Sequence, residues 1–154
     1  MKMNVLAYDK YKKDYTQDFP YVETTNLKSI QSHADIISLH LPYTPETYHL
    51  VDSNFFERCK EGVIVINTSR GSIVKTDDLI KGLKSGKVGG ACLDVFENEK
   101  PVTFSDQEDR LFQQLYEFEN VILTPHVAGW TIESKQRLAE VLLKKITEGL
   151  KKET

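Results

Sequence analysis

Cysteine is nearly absent: Cys59 and Cys92 are the only two in 154 residues. Two such residues offer neither a disulfide framework nor a metal cluster, so free thiols in a reducing compartment are the expectation. No apolar run approaches the ~20 residues needed to cross a bilayer. Met1-Lys2-Met3 leads straight into an apolar stretch of about five residues, too short for the core of a secretory signal. A cytoplasmic protein is the economical reading. Basic charge is not in excess either, since the formal net charge is −3. That argues against nucleic acid or anionic membrane as partners. The Lys144-Lys145 and Lys151-Lys152 pairs read as the solvated face of a terminal helix. The most consequential absence is a glycine-rich phosphate loop: no Gly-x-Gly-x-x-Gly occurs anywhere.

What remains is ordinary for one soluble domain, 40% apolar and 28% charged, and long enough to bury a sizeable core. Asn4-Val5-Leu6-Ala7-Tyr8 reads as a buried strand ending at Asp9, followed by a polar, aromatic-spotted loop through Tyr21. Asn26 can cap a helix over Leu27 to His33. Asp35 to His40 is a second strand, stopped by Leu41-Pro42 and the Thr44-Pro45 turn. Ser53 to Cys59 predicts a helix with Phe55 and Phe56 turned inward. Val63 to Asn67 is continuously apolar, as expected when helices cover both faces of a parallel sheet.

Thr76-Asp77-Asp78 opens a helix to Lys84 with Gly86 as its stop. Val88 to Val95 is a strand whose Gly89-Gly90 allows close backbone approach. Leu111 to Tyr116 is helical and Val121-Ile122-Leu123 is a last strand. Thr131 caps a long amphipathic helix with Leu138, Val141, Leu142, Ile146 and Leu150 on one face. Glu97 to Gln107, charged and irregular, is the candidate mobile surface loop. Strands alternating with helices mean an α/β fold with a parallel sheet.

Ligands of open α/β sheets bind at the carboxyl ends of the strands. Asp9, His40, Arg70, Glu99 and His126 all fall at or just beyond such ends. An acid ending the second strand of a dinucleotide-binding unit accepts bonds from ribose hydroxyls and repels a 2′-phosphate, favouring NAD over NADP; Asp9 is either that or a solvated strand-end carboxylate. Arg70 follows Asn67-Thr68-Ser69 and precedes Gly71; its planar guanidinium can make two parallel charge-assisted bonds to a carboxylate. His126 follows Pro125, which fixes the backbone before it, and an imidazole can give or take a proton near neutral pH. A neighbouring carboxylate would hold its tautomer and keep it protonated; Asp94, Glu97 and Glu99 are all candidates. His33, His40 and His49 lack any metal-ligand spacing. Ser69 has no nucleophile-elbow context.

Together these residues resemble the D-isomer-specific 2-hydroxyacid dehydrogenases, over nearly the whole chain. The resemblance rests on Asp9, Ser38-Leu39-His40-Leu41-Pro42, Val65-Ile66-Asn67-Thr68-Ser69-Arg70-Gly71, Leu93-Asp94-Val95-Phe96-Glu97-Asn98-Glu99 and Thr124-Pro125-His126. It implies a doubly wound, Rossmann-like NAD-binding domain, a small 2-oxo or 2-hydroxy acid substrate, and a homodimer in the full-length form. It implies that Arg70 binds the substrate carboxylate and carbonyl oxygen, and that His126 is the acid/base. The family's catalytic Glu lies five residues after the strand-end Asp, which selects Glu99 over Glu97. Asp94 would meet the nicotinamide end of the cofactor; Asp9, His40, Pro42 and Thr68 would complete its groove. Trp130 could pack against an apolar substrate tail or equally at a hinge.

The departure is at the front. The family's glycine-rich loop lies about 20 residues before the ribose-binding acid, and Asp9 has eight residues ahead of it. The expectation is a carboxyl-terminal part: residues 1–127 as an NAD-binding domain lacking its first βα unit, and residues 128–154 as a hinge and a helix returning toward a substrate domain. Met1 or Met3 would be an internal methionine of a longer ancestor, and the chain alone would have little or no activity. In the strand order 3-2-1-4-5-6 the strands at Val5 and Val63 would lose a common neighbour, and the last helix would show an uncovered apolar face. A marginally stable sheet, or one completed by another chain, follows. Two rival readings stand beside this one. One is a non-catalytic, NADH-sensing module like the C-terminal-binding transcriptional corepressors. The other is an interaction piece pairing with a separately encoded front half.

Overall fold

In chain order the elements are β1 (Val5–Ala7), β2 (Val22–Thr24), α1 (Leu27–His33), β3 (Ile36–Leu39), α2 (Ser53–Glu57) and β4 (Val63–Asn67). A 3₁₀ turn at Gly71–Ile73 leads to α3 (Thr76–Ser85), β5 (Val88–Leu93), α4 (Asp106–Glu117), β6 (Val121–Leu123) and α5 (Ile132–Leu150). The structure, a computed structural model, describes residues 3–12, 19–100 and 103–150, without the side chain of Leu150. The readings made for Lys151-Lys152, for the Leu150 side chain and for positions 13–18 of the aromatic-spotted loop lie outside those residues.

Local chemistry sets most of the boundaries. Asn26 Oδ1 accepts from the Ser29 N–H at 3.0 Å, closing the first turn of α1. Asp52 Oδ1 does the same for α2 through the Phe55 N–H at 2.9 Å. Gly86, at φ 80°, ends α3 in the left-handed conformation that only glycine adopts freely. Ser105 and Glu108 cap each other reciprocally, so α4 begins at Asp106 rather than at Leu111. Residues 105–107 therefore open a helix instead of ending a mobile loop. Thr131 Oγ1 accepts from the Ser134 N–H at 3.0 Å at the head of α5.

β3, β4, β5 and β6 form one parallel sheet in that order, with Ile37, Val65, Ala91 and Val121 in one row and Leu39, Asn67, Leu93 and Leu123 in the next. β1 and β2 form a separate parallel pair. The expectation that the Val5 and Val63 strands lack a common neighbour needs correcting. Val63 lies inside the larger sheet, paired to Ile36–Leu39 on one side and Val88–Leu93 on the other; the open edge next to Val63's strand belongs to β3. β2 escaped the sequence reading because Val-Glu-Thr is too short to show a period. Nor is the Val5 strand buried: Val5 is exposed and Leu6 and Ala7 are half-buried.

One face of the four-stranded sheet is finished. Phe55 and Phe56 of α2, Leu79, Ile80 and Leu83 of α3 and Leu115 of α4 pack with Ile37, Leu39, Val63, Val65, Ala91 and Leu93 into a single core. Each of these large side chains stabilises by roughly 1.5–3 kcal/mol on leaving water. Gly89 and Gly90 let neighbouring backbone close in: a Cβ at Gly89 would sit 2.4 Å from the Gly62 carbonyl oxygen, and one at Gly90 2.8 Å from that of Asn120. The opposite face, by contrast, leaves Ile36, Ile64 and Ile122 exposed, so helices cover one face and not both. The apolar side of α5 is open as well, with Leu138 at 67% exposure and Val141, Leu142 and Ile146 also in solvent. No helix among the described residues is long and apolar enough to cross a membrane.

Candidate active site

The carboxyl ends of β3 to β6 lie along one edge, because the four strands are parallel. His40 directly follows β3, Arg70 follows β4 by three residues, Asp94 to Glu99 leave β5, and His126 follows β6 by three. Asp9 lies two residues past β1, which belongs to the separate pair.

Among the described residues, His126 Nδ1 lies 2.7 Å from Glu99 Oε2. An ionised carboxylate only accepts, so the bond places the proton on Nδ1 and leaves Nε2 as the atom able to give or take one. Glu97 is engaged elsewhere: its Oε1 is 2.5 Å from His49 Nε2 and its Oε2 accepts from the Thr76 N–H at 2.7 Å. Of the three carboxylates left open by the sequence, Glu99 is the one that reaches His126.

Asp94 acts on the same loop from beneath. It is buried, and its Oδ1 accepts from Thr124 Oγ1–H at 2.6 Å and from the Val127 N–H at 2.9 Å. Its Oδ2 accepts from the Ala128 N–H at 2.9 Å. Burial pushes this carboxyl up, but the bonds from Thr124, Ala128 and Val127 and the nearby His126 outweigh it and hold it below the ordinary value of 3.8. The three donors straddle His126, whose φ of 54° lies in the left-handed region. Such a conformation costs about 1–3 kcal/mol in a non-glycine residue and persists only where surroundings enforce it. Asp94 is the enforcing group. No spacing rule announces this role; the signal available in the sequence is only an acid closing an apolar strand.

Arg70 is exposed, and its Nη1 donates to the Ser69 carbonyl at 2.6 Å. Among the described residues no hydrogen bond links its guanidinium to Glu99 or His126. Its loop is nevertheless fixed. Buried Asn67 accepts from Ser69 N–H at 3.1 Å and Oγ–H at 2.9 Å, and donates from Nδ2 to the Arg70 carbonyl at 3.0 Å. Gly71 then lets this loop touch the next: a Cβ there would lie 1.8 Å from the Phe96 carbonyl oxygen. Phe96 in turn packs edge-on against Phe112 of α4, centroids 4.8 Å apart. Asn98 donates to Glu108 at 3.0 Å, so the described part of the Glu97–Gln107 segment is tied to α4.

The remaining site candidates make local contacts, most of them along that edge and Asp9 beside the separate pair. His40 Nε2 lies 2.9 Å from Ser38 Oγ, and the Pro42 carbonyl accepts from Thr47 Oγ1–H at 2.7 Å. Thr68 is exposed beside buried Asn67. Asp9 Oδ1 accepts from the Tyr11 N–H at 2.7 Å and the Lys12 N–H at 3.0 Å; those two bonds hold its carboxyl below 3.8. Trp130 is exposed.

This arrangement has close counterparts. Residues 1–128 match the model for the D-isomer specific 2-hydroxyacid dehydrogenase, NAD binding domain. A 2-hydroxyacid dehydrogenase homolog of Haemophilus influenzae is 39% identical over 151 residues, covering 94% of this chain and 45% of the relative. The D-lactate dehydrogenase of Escherichia coli is 36% identical over 157 residues, covering 99% and 47%. The crystal structure of D-lactate dehydrogenase from Aquifex aeolicus, complexed with NAD and lactic acid, superposes with a TM-score of 0.80 at 35% identity, covering 97% of this chain and 46% of that one. The chain belongs to the D-isomer-specific 2-hydroxyacid dehydrogenase family, in its Rossmann-like NAD-binding domain. It spans less than half the length of these relatives.

Proposed function

We propose that this chain is the NAD-binding and proton-transferring part of an oxidoreductase that interconverts 2-oxo acids and D-2-hydroxy acids. The observation that carries the reading is the 2.7 Å bond between His126 Nδ1 and Glu99, on a loop whose strained backbone is enforced by buried Asp94. In this reading His126, charged before the transfer, gives its Nε2 proton to the carbonyl oxygen of a 2-oxo acid and is left neutral, with Glu99 still accepting from Nδ1–H. Arg70, exposed and, among the described residues, held by its side chain only to the neighbouring Ser69 carbonyl, turns to clamp the substrate carboxylate with two parallel bonds.

The residues present fit NAD at its two ends. Asp9, held ionised, suits the ribose hydroxyls and disfavours a 2′-phosphate. Thr68, His40 and Pro42 stand exposed along the strand edge, and Asp94 holds the loop beside the nicotinamide end. Bound NADH would supply the hydride. The missing element is a glycine-rich loop for the pyrophosphate. The open edge of β3, the separate β1–β2 pair and the uncovered faces favour a sheet completed by a further strand and helix from additional polypeptide. On this reading residues 1–127 are the partial cofactor domain and residues 128–154 the hinge and helix that lead toward a substrate domain.

Titrating NADH fluorescence against the chain, alone and with a supplied polypeptide carrying a glycine-rich βα unit, tests this. Binding only in the mixture is expected, with 2-oxo-acid-dependent consumption of NADH that falls by about 10²–10⁴ in His126→Gln. Turnover indifferent to that substitution, or no binding in either case, would overturn the reading.

A further inference from the structure

We infer that His49 and Glu97 form a positioning clamp that sets where the Arg70 and Glu99 loops stand. The inference rests on the acid–base reading of Glu99 and His126 above. His49 is one of two non-glycine residues at positive φ among those described, at 50°; His126 is the other. A strained residue off the reaction centre calls for a reason. The His49 N–H donates to the Ser72 carbonyl at 2.8 Å, two residues past Arg70. Its ring stacks on Tyr48, centroids 3.9 Å apart, and its Nε2 meets Glu97 Oε1 at 2.5 Å. The second oxygen of Glu97 takes the Thr76 N–H at the start of α3, where a helix favours negative charge.

One residue thus holds two loops. The segment after β4 is bound at Ser72 and the segment after β5 at Glu97; Gly71 and Phe96 press them together between those points. Only Asn98 separates Glu97 from Glu99, and Asn98 is itself bound to Glu108. With Glu97 and Asn98 both pinned, Glu99 has little freedom left in where it offers its carboxylate to His126. Exposed ion pairs contribute little because solvent and side-chain entropy erode them. This pair is better shielded, its side chains 24% and 31% exposed against 50% and 37% for His126 and Glu99. Lys75, Asp77 and Glu108 line the same recess and are the charged groups that share it.

The two histidines are bound through opposite nitrogens, which makes the clamp measurable without turnover. Long-range ¹H–¹⁵N spectra of the labelled chain at mildly alkaline pH read the tautomer of each ring. Wild type should show His126 as Nδ1–H and His49 as Nε2–H. Glu97→Gln should lose the single Nδ1–H pattern of His126 and move it toward the Nε2–H form that an unrestrained imidazole favours. His49→Gln, which leaves the Thr76 bond to Glu97, should shift His126 in the same direction and less far. It carries the test if Glu97→Gln collapses the amide spectrum of β4 and β5. Glu99→Gln serves as the reference, abolishing the pattern outright. An unchanged His126 pattern in the folded clamp variants, with Glu99→Gln altered, would overturn the clamp alone. If Glu99→Gln also changes nothing, the acid–base reading fails and the clamp has nothing to position.

Discussion

The six residues Asp94 to Glu99 serve two histidine–glutamate pairs that share a backbone strain and differ in their surroundings. His126 and Glu99 meet at the exposed strand edge, on a loop held from below by a buried carboxylate. His49 and Glu97 meet in a recess, with the carboxylate also bonded to a helix terminus and the ring stacked on a tyrosine. Both histidines stand at positive φ. A His–Glu contact is therefore not in itself a reactive site. In the proposed function His126 and Glu99 are the proton-moving pair, and theirs is the more open one, with the His126 side chain 50% exposed against 24% for His49.

The comparison breaks most sharply at Asp94. Asp94→Ala leaves three donors around His126 unsatisfied, and we expect a loss of about 4 kcal/mol in urea unfolding, with the His49 ring signals unmoved if the protein stays folded. Gly71→Ala strikes both pairs at once, since its Cβ would lie within 1.8 Å of the Phe96 carbonyl oxygen. A loss of about 3 kcal/mol is expected, with shifts in both histidine rings.

Asp78 tests the helix start that anchors only the His49 side. Burial raises its carboxyl, but bonds from Ser53, Lys75 and Lys81 bring it to about 2. A depressed acid stabilises fully above its unfolded value of 3.8 and loses that contribution as pH falls toward about 2. Asp78→Asn should cost about 2 kcal/mol at neutral pH and flatten the acid limb of the stability curve over that window. His126 signals should not respond.

The smallest effect concerns the strain itself. Glycine relieves a positive φ but loosens the unfolded chain. His126→Gly should therefore change stability by less than about 1 kcal/mol, because the Glu99 bond it loses is exposed. His49→Gly should cost more, since it strips the partly buried Glu97 of a partner and Tyr48 of its stack. Parallel thermal melts of the two variants decide this, and equal losses would erase the distinction drawn here.

Much of the covered half was legible in advance. Asn26 for α1, the apolar run of β4 and Gly86 after α3 act through neighbours along the chain, and those the sequence displays. The Ser105-x-x-Glu108 signature of α4 was equally present but lay inside a charged stretch read as loop. The uncovered half was less legible. Val-Glu-Thr became β2 only because Val5–Ala7 lay beside it. An apolar strand reads alike whether both faces are covered or one, so Ile36, Ile64 and Ile122 gave no warning of their exposure.

By itself the sequence determined the alternation of strands and helices, and hence the parallel edge along which His40, Arg70, Glu99 and His126 gather. Period, capping and turn chemistry are local, and so readable. The family spacing selects Glu99 for His126, but the residues themselves do not show which glutamate meets which histidine; that contact is made only in three dimensions. Glu97 and Glu99 are two residues apart on one loop, chemically identical, and no propensity separates them. Their partners come from segments 48 and 27 residues away. Only the packing of Gly71 against Phe96 and the hold of Asp94 on the His126 loop bring those segments into reach.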